Sequence, residues 1–165
     1  MAWHAGMTGS GMTNAGAPSV SGNGVVAATL ALGVDVRVSA DGLYVDVLAR
    51  DVDKLTTVNV TVPASPSVTG SVTLPSGTQL TDLELSADGK YVYALDSSPR
   101  VIMAVSVVAP SAPSVVSSLS VSSVTGTIFG LTVSAAGGYL AAGLATGNGV
   151  SLFTWSPIEL SAGQG

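Results

Sequence analysis

The sequence predicts an all-β fold made of three similar four-stranded units. Two observations carry that reading. Apolar residues alternate with polar ones instead of recurring at three and four, as in Val34-Asp35-Val36-Arg37-Val38 and Leu83-Glu84-Leu85. In addition, one strand-turn-strand phrase returns three times at nearly constant spacing. A third feature agrees with them: Val, Thr and Ser dominate where a helix would favour Ala, Leu, Glu and Lys.

The first element, residues 1–24, carries Gly6, Gly9, Gly11, Gly16, Gly22 and Gly24 among Ser, Thr and Ala. It reads as an arm that is flexible alone and orders by packing onto a neighbouring subunit. The apolar stretch Val25 to Leu32 follows as an outer strand lacking inner strands of its own. Trp3, Met7 and Met12 in the arm, Val25, Val26, Leu30 and Leu32 in this stretch, and Trp155 near the other end are the expected assembly residues.

The repeats come next. Asp35 to Val45 lines up with Asp82 to Val92 at an offset of 47, and Gly130 to Leu140 follows at an offset of 48. The linking phrase Ala64-Ser65-Pro66-Ser67-Val68 likewise matches Ser111-Ala112-Pro113-Ser114-Val115. These matches divide a β domain of 25–157 into units of about 25–70, 71–117 and 118–157, with 158–165 as a tail. In each unit a Ser-Ala-Asp-Gly phrase makes the hairpin turn, Asp bonding local backbone and Gly taking the positive φ. The turn residues are Asp41, Gly42, Asp88, Gly89 and Gly137, with Ala136 standing in the third copy where the others have Asp. Gly147-Asn148-Gly149 reads as a further hairpin turn. Period-two alternation places Val36, Val38, Val45, Val47, Leu83, Leu85, Val92, Ala94, Leu131, Val133 and Leu140 in the core.

Ser86 to Asp96, followed by Val101-Ile102-Met103-Ala104-Val105 and the Pro113 turn, resembles the YVTN and LVIVD-type β-propeller repeats of prokaryotic surface proteins. The resemblance spans about residues 25–157 and implies four-stranded blades; it implies architecture and no functional residue. Rings of this kind close with about four to eight blades, so three leave two sheet faces open. A partial β-propeller completed by oligomerisation is therefore the expected architecture, with a β-sandwich as the alternative.

Composition narrows the chemistry. The net charge of −5 and only five Lys and Arg exclude a phosphate-neutralising nucleic-acid surface. No apolar run reaches the roughly 18 residues of a membrane-crossing helix. The absence of Cys removes disulfides and thiol nucleophiles, and His4, the single histidine, makes neither a triad nor a metal site. The acidic run Asp41, Asp46, Asp51 and Asp53 lacks the spacing of a calcium loop. Trp3, Trp155, Tyr44, Tyr91, Tyr93 and Tyr139 could stack on sugars, but a Tyr repeating at one position fits packing between units better.

Fourteen of the fifteen charges fall between Asp35 and Arg100, which leaves both ends of the domain free of charge. Interface cores are depleted in charge, so those ends are expected to meet other subunits. The expected function is a non-enzymatic structural protein that forms a homo-oligomer. Its expected setting is a virion component, such as a tail, fibre or capsid-decorating protein, or a cell-surface assembly, since no signal peptide is visible. The expected partners are copies of itself and other structural proteins of the assembly, with no cofactor. A surface carbohydrate- or ligand-binding module, with glycans as partners, is the alternative.

Overall fold

The computed structural model describes residues 33–75, 79–144 and 149–154. The assembly residues Trp3, Met7, Met12, Val25, Val26, Leu30, Leu32 and Trp155 lie outside them, as do the arm and the tail.

Among the described residues, eleven strands form three antiparallel sheets. The first holds β1 (Gly33–Val38), β2 (Tyr44–Ala49), β3 (Lys54–Asn59) and β4 (Ser67–Thr73), paired in chain order. The second holds β5 (Leu80–Leu85), β6 (Tyr91–Asp96), β7 (Val101–Ser106) and β8 (Ser114–Ser120) in the same order. The third holds β9 (Ile128–Val133), β10 (Tyr139–Leu144) and β11 (Gly149–Thr154). Register repeats with the sequence: Val36 faces Val47, Leu83 faces Ala94 and Leu131 faces Ala142. One bulge also repeats. It skips Val34, Thr81 and Phe129 in turn, bending each first strand just before its Asp35, Asp82 or Gly130.

The sheets stack face to face, with β1, β5 and β9 side by side as innermost strands. Between the first two sheets, Leu48 and Leu55 meet Leu83, Val92, Ala94, Met103 and Val105. Between the second and third, Tyr93, Leu95, Ile102 and Ala104 meet Leu131, Leu140 and Ala142. The second sheet is thus covered on both faces. This explains why β6 and β7 are buried at consecutive positions: both side-chain directions end in core.

One expectation is corrected. Val36 and Val38 are 53% and 57% exposed, whereas their counterparts Leu83 and Leu85 are covered. The reason is position: Leu83 and Leu85 face the preceding sheet, while no described sheet precedes β1. β4 ahead of Asp82 and β8 ahead of Gly130 each pair with the strand behind them, and the observed sheets run 33–73, 80–120 and 128–154.

Candidate functional site

Three features stand out: carboxylates on the innermost strands, clefts between sheets, and exposed apolar side chains on the two outer faces. On the innermost strands, Asp35 Oδ2 accepts the backbone N–H of Leu83 at 2.9 Å, and Asp82 Oδ2 accepts that of Leu131. One repeat therefore clasps the next through the same position. Arg37 ties the first pair further, with Nη1 at 2.8 Å from Asp35 Oδ1, Nε at 2.9 Å from Glu84 Oε2 and Nη2 at 3.7 Å from Asp82 Oδ1. Burial pushes the Asp82 carboxyl up to about 6, with the neighbouring Asp35 adding to the rise and the N–H groups of Leu131 and Leu83 opposing it. The third repeat has Gly130 here, so the series of clasps ends at β9.

The hairpin turns line one end of the sheets. Gly42, Gly89 and Gly137 have φ near +70°, donate to the carbonyls of Ser39, Ser86 and Ser134, and permit the left-handed residue each turn needs. Asp41 and Asp88 accept the hydroxyls of Ser39 and Ser86, which hold both carboxyls below their ordinary value. Beside these turns lies a cleft of about 310 Å³ between the first and second sheets, and a matching one of about 200 Å³ between the second and third. The larger contains Asp46, 2% exposed, whose Oδ1 accepts the Thr57 hydroxyl at 2.6 Å. Burial raises the Asp46 carboxyl, and the Thr57 bond partly offsets this. The smaller has Tyr93 in the place of Asp46.

The acidic run does not gather. Asp41 precedes β2, Asp46 lies within it, and Asp51 and Asp53 follow its far end. Among the described residues, no group of three or more His, Asp or Glu could hold a metal ion. Nor is any helix among them long and apolar enough to cross a membrane.

The third feature is apolar exposure at both ends of the stack. On the outer face of the first sheet Val36 and Val38 are exposed, whereas Val47, Ala49 and Val58 on the same face are buried. On the far face of the third sheet, Val150 and Leu152 are each 69% exposed, and Leu152 lines an apolar hollow of about 310 Å³ with Tyr139 and Ala141.

Solved structures share this arrangement. A functionally unknown protein from Desulfotomaculum acetoxidans matches with a TM-score of 0.63 at 16% identity, over 74% of this chain and 37% of its own. The periplasmic gluconolactonase PpgL of Pseudomonas aeruginosa matches with a TM-score of 0.63 at 20% identity, over 75% of this chain and 36% of its own. The β-propeller domain of Cps50 (Swd1) from Myceliophteria thermophila matches with a TM-score of 0.60 at 14% identity, over 74% and 40%. The three sheets are β-propeller blades. The chain spans well under half the length of these propeller-like structures, and at such identities the likeness is one of fold. No protein-family profile matches the chain, and no curated protein matches it.

Sequence reasoning missed the Asp35 and Asp82 clasps and the buried Asp46–Thr57 pair. A signal for each was present. Asp35 and Asp82 align across repeats with no turn to explain them, and Asp46 stands where the next blade has Tyr93.

Proposed function

We propose that this chain is a non-enzymatic assembly module whose blades are completed into a ring by a second copy. The carrying observation is the complementarity of its two outer faces. Val36 on the first blade holds the place of Leu83, and Val150 on the third holds the place of Ile102. Leu83 packs in one core with Leu55, and Leu131 packs in the other with Ile102. Docking third blade onto first blade would repeat that inter-blade contact between chains. Two copies related by a two-fold axis along the ring would make two such contacts and six blades, within the range of about four to eight at which propellers close. The strands β9 to β11 contain no charged residue, which suits an interface core.

A particle built from repeated copies, such as a virion tail, fibre or capsid decoration, or a cell-surface array, is the setting this module fits. Light scattering on the full chain tests the reading. It predicts a mass about twice the 16.2 kDa of one chain. A single-chain mass at high micromolar concentration overturns it.

A second reading, a ligand-binding surface module, is favoured by one observation: the unequal clefts between blades, one of which holds a buried carboxylate.

A further inference from the structure

The cleft between the first and second blades differs from its repeat in a way that packing does not require. In the second blade the two equivalent positions are Tyr93 and Ala104, an aromatic and a small apolar residue buried against the third blade. In the first blade they are Asp46 and Thr57. Both are buried, and both line a cleft that is larger, by about 310 Å³ against 200 Å³. A buried carboxylate is costly unless paired or well hydrogen-bonded. Asp46 has the Thr57 hydroxyl on Oδ1, and among the described residues no donor reaches Oδ2.

None of the five Lys and Arg side chains neutralises it. Arg37 is held by Asp35, Asp82 and Glu84, and Lys90 lies 3.4 Å from Asp88 Oδ2. Arg50 and Arg100 donate to the carbonyls of Leu80 and Val124. Lys54 starts β3 opposite Ala49, while Asp46 sits opposite Thr57 further along that strand. The charged groups lining the cleft are Asp41, Asp46, Asp88 and Lys90, an excess of negative charge. The Tyr44 ring forms part of the wall, and Val107, Val108 and Pro110 give it an apolar side.

We propose that this cleft binds a small primary alkylammonium ion, with the Asp46 carboxylate as counter-ion, the Tyr44 ring beside the charge and the alkyl chain against Val107 and Val108. An organic cation suits the cleft better than a metal ion. One buried carboxylate is too few ligands for a divalent metal, whereas a cleft of this size with an aromatic wall and an apolar side suits a cation carrying carbon. The site belongs to one chain and is independent of ring closure.

The test uses the full chain, isotopically labelled and titrated with n-butylammonium chloride, with 1-butanol and sodium chloride as matched controls. Amide shifts of Thr57, Val107 and their neighbours are the readout. Saturable shifts are expected with butylammonium, at least tenfold weaker binding of butanol, and no site-specific shift with sodium chloride. Asp46→Asn keeps an oxygen to accept from Thr57 and should weaken butylammonium binding at least tenfold, while Asp51→Asn, exposed beyond the far end of β2 and outside the cleft, should change it less than threefold. No saturable shift, an equal response to butanol, or unchanged binding in Asp46→Asn overturns the proposal. Should Asp46→Asn not fold, the contrast between butylammonium and butanol on the unaltered chain decides alone.

Discussion

Oδ2 of Asp35 accepts the backbone N–H of Leu83 at 2.9 Å, so the first blade holds the innermost strand of the second by a side chain reaching a main-chain donor. The same N–H also lies 3.0 Å from Asp82 Oδ1. Removing Asp35 therefore weakens the bond without leaving the donor bare, and it also takes a partner from Arg37. Asp35→Ala should lower unfolding free energy by about 1–2 kcal/mol, the scale of a hydrogen bond to a charged acceptor. Urea denaturation measures this, and a loss below about 0.3 kcal/mol would show that the clasp adds nothing.

The raised carboxyl of Asp82 makes stability depend on pH. Its folded value of about 6 lies above the ordinary value of 3.8, so the folded chain holds the proton more tightly. The stabilisation is complete below the ordinary value and is lost as pH rises through the folded one. The Asp46 carboxyl, also raised, acts in the same direction. Asp41 and Asp88, both lowered, act the other way, but only as pH falls below the ordinary value. Urea midpoints should therefore fall between pH 4.5 and pH 7, and Asp82→Asn should flatten the profile. A midpoint that rises over this interval would contradict the assignment.

Gly70 on β4 is a close-approach position. A Cβ there would overlap the Pro110 carbonyl oxygen and lie 2.8 Å from the Pro113 Cδ, in the turn that leads into β8 of the next blade. Backbone on one side and a proline ring on the other leave little room to yield. Gly70→Ala should destabilise by about 1–3 kcal/mol. Gly138→Ala, where a Cβ meets nothing within 4 Å, is the control in the same thermal melt and should lie within about 0.5 kcal/mol of the parent.

Much of the architecture was legible in the sequence because the repeats carry their own register. Aligning Asp35 with Asp82 also aligns the turns, the bulges and the paired strands. Alignment finds the period of a repeat and not where each sheet begins: β4 sits ahead of Asp82 in the chain yet pairs with β3 behind it. Alternation found the face represented by Leu83 and Val92 but missed Leu48, Leu55 and Ile102. Strands covered on both sides have no polar face to alternate with. The Asp46–Thr57 pair was hidden for another reason: its partners meet across a hairpin, and its burial depends on a blade some forty residues further on.

Charge on an open face should separate folding from assembly. Leu152 is 69% exposed in the single chain, so Leu152→Asp should change its stability by no more than about 0.5 kcal/mol. If the face docks on a second copy, the same change buries a carboxylate in an apolar contact and should abolish the two-chain species in sedimentation. An unaltered two-chain species would remove this face from the interface.

Ring closure by a second copy is tested most directly by joining the two faces. The chain has no cysteine, so cysteines placed singly at Val36 and at Val150 are the only thiols present. The Val36→Cys and Val150→Cys chains, mixed and treated with a short-armed bis-maleimide, should give a cross-linked heterodimer as the main product, because these positions correspond to side chains that share one core between neighbouring blades. Peptide mapping should recover the link between residues 36 and 150. Monomers alone, or homodimers of each variant in preference to the mixed product, would contradict closure of the ring by this contact.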